Sequence, residues 1–310
     1  MKCLLIGGGG FLGSNLCDSL LAQGFSVKVF ERPNLLQYRC FSSDENIEWV
    51  EGDFLNPDDI SKAIKDCDII YHFASTTIPE SSNENPVYDI ETNLIATVKL
   101  ADLAIKNGIK KIIFPSSGGT VYGIPEVIPI KESHPSNPLC SYGITKLAIE
   151  KYFQLYHILY GLDYCILRIA NPYGMRQRVT GAQGAVCVFL YKALKGSTIE
   201  IWGDGNVVRD YIYVSDVVDA LVKAITYDGG DRIFNIGSGK GHSLNDILID
   251  IEKLIDRPVK RIYKQRRPLD VPINILDIEK ACKLLQWQPK NSFSQGLEKT
   301  LHWIKMKEEA

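Results

Sequence analysis

The sequence lacks a C-x-x-C pair, an apolar run long enough to cross a bilayer and an excess of basic residues. Most of its eight cysteines lie within apolar stretches, which indicates buried free thiols in a reducing compartment rather than a disulfide framework. No run reaches the roughly 18 apolar residues that a membrane-spanning helix needs. The first apolar stretch breaks into four glycines without a signal-peptide cleavage site. We therefore expect a cytoplasmic protein with no membrane partner.

The charges of the chain nearly cancel, with 35 basic and 37 acidic side chains and a formal net charge of -2. Nucleic-acid-binding proteins usually carry a basic excess, so we expect no nucleic acid as a partner. A hydrophobic content of 45% excludes a disordered chain, and 310 residues are enough for one large domain or two smaller ones. Composition thus indicates a globular protein, and we assign it no metal site.

Short apolar segments alternate with segments of helical spacing through the first half of the chain. The pattern predicts strands at 2–6, 26–31, 47–51, 68–73 and 110–115, and helices at 11–23, 57–65 and 87–106. Strands separated by helices form right-handed crossovers and a mostly parallel sheet. We therefore predict the α/β class, with a Rossmann-like doubly wound parallel sheet over residues 1–170 and a smaller C-terminal α/β substrate lobe over 171–310. Segments near 210–236 are expected to return to the sheet.

A glycine-rich turn joins the first strand to the first helix. Gly7, Gly10 and Gly13 follow a G-x-x-G-x-x-G spacing, which permits a tight turn and a close approach of the backbone to a pyrophosphate at a helix N-terminus. Glu31 ends the second strand, where an acid suits the ribose hydroxyls of NAD and repels the extra phosphate of NADP. Arg32 beside it weakens that preference. The turn predicts an NAD site built on Gly7, Gly10, Phe11, Leu12, Gly13, Glu31 and Arg32.

Further cofactor candidates follow the third and fourth strands, at the carboxyl edge of the sheet where a dinucleotide must lie. Asp53 and Phe54 come after the third strand, and Asp53 either accepts a hydrogen bond from the adenine amino group or caps a turn. The fourth strand is followed by Phe73, Ala74 and Ser75. We place these five residues at the cofactor and interpret His72 as a packed structural residue.

Tyr142 and Lys146 lie four residues apart at the start of a predicted helix, so both side chains share one face. A phenol with a pKa of about 10 is a weak base at neutral pH, and a neighbouring ammonium together with a positively charged nicotinamide would lower that pKa. The pair could then remove a hydroxyl proton while hydride leaves the same carbon. Upstream, Ser116, Ser117 and Thr120 follow the fifth strand, where their hydroxyls either bind a substrate oxygen or serve as turn residues.

Five motifs occur in order along the chain. They are Gly7/Gly10/Gly13, Ser-Ser-x-x-x-x-Tyr-Gly at 116–123, Tyr142/Lys146, Asn-Pro-Tyr-Gly-x-Arg-Gln at 171–177 and Arg-Asp-Tyr-Ile-Tyr-Val at 209–214. With these motifs the chain resembles the extended short-chain dehydrogenases/reductases, and most of all the nucleotide-sugar epimerases of the UDP-glucose 4-epimerase type. The resemblance covers nearly the whole chain. It implies NAD as the cofactor and a UDP-sugar as the substrate.

The resemblance also implies a role for each matching residue. Tyr142 would be the base and Lys146 its electrostatic partner, which also holds the nicotinamide ribose. Asn93 would lie near the nicotinamide, and we place Ser116 and Ile169 at the cofactor as well. On the substrate side the matching residues are Ser117, Gly118 and Asn171, with Arg209 and Arg267 for the diphosphate and Asp270 for the uridine ribose. Two arginines in a lobe of nearly zero net charge suit a diphosphate.

The chain departs from the family pattern at two places. Gly118 stands where the family usually carries its catalytic Ser or Thr, so Ser117 or Thr120 would supply that hydroxyl. Thr76 and Thr77 stand where galactose-type enzymes often carry a Lys, which implies a different sugar or a looser site.

These residues favour a 4-epimerase, in which NAD oxidises the sugar at C4 and returns the hydride to the other face. A 4,6-dehydratase or a decarboxylase needs additional carboxylic acids, whereas Gly119 and Thr120 stand at the matching position. A non-catalytic dinucleotide-binding protein is the least favoured interpretation, because such proteins tend to lose the Tyr-x-x-x-Lys motif. Asn274 falls at the family position that gates N-acetyl groups, and its intermediate size leaves hexose, N-acetylhexosamine and uronate open.

Two predicted helices, at 87–105 and 142–160, are apolar around most of their circumference. One face of a sheet can bury only a stripe of each helix. The apolar helix surface that the sheet cannot cover predicts a homodimer in which two helices from each subunit form a four-helix bundle. The resemblance implies the same dimer.

Overall fold

The computed structural model describes residues 1–309 apart from 36, 37, 40, 43, 181–183 and 266–270. The strands are β1 (Lys2–Ile6), β2 (Ser26–Glu31), β3 (Ile47–Glu51), β4 (Ile69–His72), β5 (Lys111–Ser117), β6 (Asp163–Ile169), β7 (Asn171–Tyr173), β8 (Ile199–Trp202), β9 (Val208–Tyr213), β10 (Ile233–Ile236), β11 (Gly241–Ser243), β12 (Arg261–Lys264) and β13 (Ile273–Asn274). The helices are α1 (Phe11–Ala22), α2 (Pro57–Ile64), α3 (Pro79–Glu84), α4 (Pro86–Asp89), α5 (Ala96–Lys106), α6 (Ser141–Tyr160), α7 (Ala185–Leu194), α8 (Val214–Thr226), α9 (Leu244–Ile255), α10 (Glu279–Leu284) and α11 (Phe293–Glu309), with a π-helical segment at Ile90–Ile95.

A seven-stranded sheet, in the order β10-β6-β5-β4-β1-β2-β3, lies at the centre of the fold. All of its strand pairs are parallel. Its central strands are short apolar runs that are buried on both faces, because helices cover the sheet on each side. Leu16 of α1 and Leu221 of α8 belong to the core on one face, and Leu100 of α5 and Phe153 of α6 belong to the core on the other. The predicted fold class, a doubly wound parallel sheet, is confirmed.

Local signals set the ends of the first helices. Gly10 is the residue before α1, and Gly24 follows its end with φ +79°, a left-handed backbone conformation that favours glycine. The side chain of Asn56 accepts a hydrogen bond from the backbone N–H of Asp58 at 3.0 Å, and Pro57 opens α2. The chain therefore enters each helix close to the predicted residue.

The helix predicted at 87–106 is interrupted by the π-helical segment between α4 and α5. Two side chains in it and one at the start of α5 donate to backbone carbonyls one turn back: Thr92 Oγ1 to Tyr88 at 2.6 Å, Asn93 Nδ2 to Asp89 at 3.0 Å and Thr97 Oγ1 to Asn93 at 2.5 Å. The side-chain donors compete with backbone N–H groups for the same carbonyl oxygens, which is compatible with the wider turn of a π-helix. An apolar periodicity alone does not reveal such an interruption.

The second half of the chain adds two small sheets. In one, β9 pairs with β7 and β13 in parallel and with β11 in antiparallel orientation, and in the other β12 pairs with β8. Strand β10 pairs in parallel with β6 at the edge of the main sheet. The boundary between sheet domain and substrate lobe near residue 170 stays a prediction.

Among the described residues, no helix combines the length and the apolar character needed to cross a membrane. The seven cysteines in that part of the chain are free thiols. The expected cytoplasmic location stays a prediction.

Candidate active site

A cavity of about 1260 Å³ lies at the carboxyl ends of β1, β4, β5 and β6, between the main sheet and the second half of the chain. It is bordered on one side by β1 and β4, where the strand order of the sheet reverses, which is the usual ligand position in doubly wound folds. Many predicted site residues line it: Phe11, Leu12, Phe73, Ser75, Ser116, Ser117, Thr120, Tyr142, Lys146, Ile169, Asn171 and Arg209. The cavity thus brings cofactor and substrate candidates together.

The glycine turn lies directly against the end of β4. Gly7 has φ +77°, and a Cβ atom there would lie 2.8 Å from the backbone nitrogen of Ala74. A Cβ on Gly13 would lie 2.5 Å from the Cα of Gly8, so the start of α1 packs tightly on the turn. Both positions require glycine, and the helix N-terminus faces the cavity through Phe11.

Glu31 is held beside the glycine turn. Its carboxylate accepts a hydrogen bond from the backbone N–H of Gly9 at 3.2 Å and from that of Arg32 at 3.1 Å. Burial raises the pKa of Glu31 above its usual value, and these hydrogen bonds and the Arg32 charge oppose the rise. Glu31 therefore lies against the glycine turn, whereas the Arg32 side chain is exposed. A contact of Glu31 with a ribose stays a prediction.

Asp53 and Phe54 lie beyond the lining residues of the cavity. The carboxylate of Asp53 accepts a hydrogen bond from the backbone N–H of Leu55 at 2.9 Å, which is the turn role that the sequence left open. Phe54 packs against the ring of His72, with ring centres 5.0 Å apart. An adenine contact for Asp53 stays a prediction.

The first two turns of α6 carry the reactive pair. Lys146 Nζ lies 5.5 Å from the ring centre of Tyr142, donates to the carbonyl of Pro115 at 3.3 Å and lies 4.5 Å from the ring centre of Phe114. Burial lowers the pKa of Lys146 to about 8 and raises the pKa of Tyr142 well above its ordinary value. The expected lowering of the Tyr142 pKa requires a bound, positively charged nicotinamide and stays a prediction, whereas burial and the charge of Asp89 raise the pKa in the chain alone.

The family's usual hydroxyl position cannot carry a side chain in this fold. A Cβ on Gly118 would lie 2.5 Å from Leu276 Cδ1 and 3.0 Å from the carbonyl oxygen of Arg168. Gly118 therefore faces away from the cavity, although we expected it at the substrate. Ser117 and Thr120 line the cavity, and Thr120 Oγ1 is buried without a hydrogen-bond partner among the described residues. This orphaned hydroxyl is a candidate contact for a substrate oxygen.

Asn93 and Asn274 lie behind the walls of the cavity rather than in its lining. Asn93 is buried, and its side chain donates to Thr76 Oγ1 and accepts from the Thr76 backbone N–H, both at 3.0 Å. Asn274 is buried and donates to the carbonyl of Gly118 at 3.1 Å. Through these contacts Asn93 supports the loop after β4. A position of Asn93 near a nicotinamide stays a prediction.

On the substrate side, Asn171 and Arg209 line the cavity from β7 and β9. Asn171 Nδ2 donates to the carbonyl of Asp210 at 3.0 Å, and Arg209 Nη1 donates to the carbonyls of Val271 at 2.6 Å and Val208 at 2.9 Å. These bonds fix the two side chains at the cavity wall. Arg267 and Asp270 lie outside the described residues, so their roles stay predictions.

Part of the cavity wall consists of residues that were not predicted from the sequence. Glu80, Asn83 and Glu84 of α3 line the cavity, as does Trp202 at the end of β8. The available signal for α3 was Pro79, which opens a helix shortly after β4. The acidic residues give this wall a charge opposite to that of Arg209.

Comparison with known proteins agrees with this geometry. The chain matches the model of the NAD dependent epimerase/dehydratase family over residues 3–237. It is 35% identical to UDP-glucose 4-epimerase from Mycolicibacterium smegmatis, with 99% of each chain covered. The crystal structure of UDP-glucose 4-epimerase with UDP-glucose from Thermotoga maritima has a TM-score of 0.94 at 34% identity, with 99% of each chain covered. A UDP-glucuronic acid 4-epimerase from Bacillus cereus, solved with NAD, has a TM-score of 0.88 at 27% identity and covers 99% of this chain and 100% of its own.

These similarities confirm four predictions from the sequence: the family resemblance, the fold class, an enzymatic function and NAD as the cofactor. The chain belongs to the NAD-dependent epimerase/dehydratase family.

Proposed function

We propose that the chain interconverts the C4 epimers of a UDP-hexose. The observation that carries the proposal is that one cavity contains both the start of α1 and the pair Tyr142 and Lys146. Its volume of about 1260 Å³ exceeds the roughly 300–1,000 Å³ of an ordinary ligand pocket, as two nucleotide-containing ligands require. The similar UDP-sugar 4-epimerases support the same reaction class.

The glycine turn fits a dinucleotide, because a side chain at Gly7 would fill the space against Ala74 and hold the ligand away. The residues that would hold NAD are Gly7, Gly10, Phe11, Leu12, Gly13 and Glu31 on one side, and Phe73, Ser75, Ser116, Lys146 and Ile169 on the other. When bound there, NAD would supply a reversible hydride acceptor for the C4 carbon of the sugar.

Tyr142 would accept the proton of the C4 hydroxyl and later return it. Burial favours its neutral phenol, so positive charge inside the cavity must favour the phenolate before it can act as a base. Lys146, whose pKa is about 8, is mainly an ammonium at pH 7 and supplies part of that charge. Thr120 or Ser117 would hold the reacting oxygen beside Tyr142.

We propose a sugar without a carboxylate as the preferred substrate. Glu80 and Glu84 line the cavity, and a uronate would bring a third negative charge close to them. Arg209, from the other wall, would bind the diphosphate common to all UDP-sugars. Asn274 lies behind Gly118 and does not line the cavity, so it does not decide whether the sugar carries an N-acetyl group.

The test is a substrate panel without added cofactor. The purified protein should convert UDP-glucose to its C4 epimer, detected by NMR, and should convert UDP-glucuronate least in a panel that includes UDP-N-acetylglucosamine. Tyr142→Phe removes a single oxygen and should abolish turnover while the protein stays folded. Tyr160→Phe, at the exposed end of α6, is the control and should keep wild-type turnover. A protein that holds no dinucleotide and forms no epimer would contradict the proposal.

We also propose a homodimer formed by α6 and the helical stretch of residues 86–106. The outer faces of these helices carry exposed apolar side chains, among them Val87, Ile95, Leu155, Ile158 and Leu159. Such a surface on a soluble enzyme usually marks an interface. Pairing with a second copy by two-fold symmetry would cover both helices in a four-helix bundle.

A further inference from the structure

The carboxylate of Asp89, at the end of α4, is fully buried and has no role in the reaction described above. Four side chains donate to it. Thr77 Oγ1 and Asn93 Nδ2 donate to Oδ1, the latter at 3.0 Å, and Ser141 Oγ at 2.8 Å and Thr145 Oγ1 at 2.7 Å donate to Oδ2. A buried carboxylate with this many partners is a fixed point of the structure.

The two oxygens of this carboxylate serve different parts of the cavity wall. Oδ1 binds Thr77, in the loop after β4 that lines the cofactor side. Oδ2 binds Ser141 and Thr145, and each of these residues immediately precedes a member of the reactive pair in α6. One side chain therefore links the loop to the turn of α6 that presents the pair.

We propose that Asp89 is a positioning residue, which sets the Tyr142 and Lys146 side chains relative to the loop after β4. The inference rests on the proposed epimerase function, since it concerns the geometry of the same reaction. The π-helical segment directly after Asp89 supports it, because such segments often occur at functional sites. The segment also brings Asn93 to the same carboxylate.

The start of α6 has a second attachment that does not involve Asp89. Asn83 Oδ1 accepts from the backbone N–H of Ser141 at 2.9 Å, and Ser82 Oγ accepts from that of Tyr142 at 3.0 Å. These side chains of α3 cap the helix, so α6 can form without Asp89. Removal of the carboxylate should then alter the placement of the reactive turn rather than the fold.

The charge of Asp89 also reaches the reactive pair. It raises the pKa of Tyr142 and of Lys146, and it raises the pKa of Cys140 at the start of the same helix. A neutral asparagine in its place should lower all three pKa values. This change reports the electrostatic coupling of Asp89 to the pair, which a substitution such as Thr145→Val leaves in place.

The experiment compares Asp89→Asn with wild type in the full chain with its bound cofactor, with UDP-glucose as substrate. We expect kcat to fall about 100-fold, the size of effect that a small misplacement of catalytic groups produces. KM should change far less, and the acidic limb of the kcat profile should move to lower pH. Thr145→Val should lower kcat without moving the acidic limb of the pH profile. Thr145→Ser keeps the hydroxyl and should have a kcat close to that of wild type.

Asp102→Asn is the matched control. Asp102 is on α5 and accepts from the Tyr156 hydroxyl of α6 at 2.6 Å, about four helical turns from Tyr142. Its replacement should leave kcat unchanged. An unchanged kcat in Asp89→Asn, or a loss that only follows the loss of folded protein, would overturn the inference.

A second measurement separates this inference from the proposed function. If wild type converts no UDP-hexose, the proposed function fails, and amide hydrogen exchange at residues 141–146 still tests the positioning. Exchange there should rise in Asp89→Asn and stay at the wild-type rate in Asp102→Asn. Equal exchange in wild type and Asp89→Asn would overturn the positioning role.

Discussion

At the scale of single residues, Thr120 is the strongest candidate for the hydroxyl that holds the reacting oxygen. Its Oγ1 atom is buried in the cavity wall without a partner among the described residues, so a ligand oxygen would satisfy it. We expect Thr120→Val to lower kcat/KM by about 10- to 100-fold, the equivalent of one lost hydrogen bond to a reacting group. Steady-state kinetics with UDP-glucose measures the effect.

Stability and a neighbouring hydroxyl provide the controls for Thr120. Because Thr120→Val replaces an unpaired buried hydroxyl by a methyl group, the melting temperature should stay the same or rise slightly. Ser117→Ala should have a smaller effect on kcat/KM. A larger loss in Ser117→Ala would assign the role to Ser117 instead.

The burial of His72 predicts how the free energy of unfolding depends on pH in acid. Burial lowers the pKa of His72 to about 3, and its ring lies between Phe54 and Phe114, with Nε2 2.7 Å from Thr97 Oγ1. Between pH 6.5 and 3 the unfolded chain therefore binds one more proton at this residue, and the free energy of unfolding falls by up to about 1.4 kcal/mol per pH unit on acidification. The contribution is fully present above pH 6.5.

His72→Phe should remove this dependence, because phenylalanine fits the same aromatic contacts and Thr97 keeps its hydrogen bond to the carbonyl of Asn93. Urea unfolding at several pH values from 6.5 to 4.5 should give a shallower pH slope for the variant than for wild type. His302→Phe, at an exposed position of α11, is the matched control and should keep the wild-type slope. Identical slopes in wild type and His72→Phe would contradict the assignment.

Long-range contacts explain which site residues the sequence could not predict. The glycine turn and the pair Tyr142 and Lys146 are each defined by local spacing, and both the pair and the start of α1 after the turn line one cavity. Gly118 is different, because the side chain that excludes a hydroxyl there is Leu276, far along the chain. No local pattern carries that contact.

At the scale of elements, apolar runs between glycines and prolines predicted strands β1 to β5 of the main sheet to within two residues, because a buried strand needs an unbroken apolar segment. Strand β6 was not predicted. The π-helical segment was not predicted, because the features that accompany it are hydrogen bonds from Thr92, Asn93 and Thr97 to backbone carbonyls, which apolar periodicity does not record. Polar residues in a helix that faces a site thus carry information that apolar periodicity does not.

At the scale of the whole molecule, a net charge of -2 is compatible with anionic ligands because local groups set the potential of the cavity. Arg209 and Lys146 lie on two of its walls, and the N-terminus of α1 opens into it. The acidic side chains Glu80 and Glu84 occupy another wall. The cavity therefore has basic groups and acidic side chains in different parts of its lining.

The last prediction concerns the assembly. The side chain of Ile158 in α6 is 71% exposed and that of Val87 is 64% exposed, on the two helical stretches that one sheet face cannot cover completely. If these stretches pair across a two-fold axis, Ile158→Glu would bury carboxylates in an apolar interface and should convert the dimer to a monomer of 34.7 kDa. Light scattering after size exclusion measures the mass.

Ile249→Glu provides the comparison for Ile158→Glu. Ile249 is also an exposed isoleucine on a helix surface, with 44% exposure, but it lies on α9, away from the proposed interface. The two variants change net charge equally, so a difference in mass between them reports the location of the contact rather than solubility. A monomeric wild type would contradict the dimer, and a dimer that persists in Ile158→Glu would place the interface elsewhere.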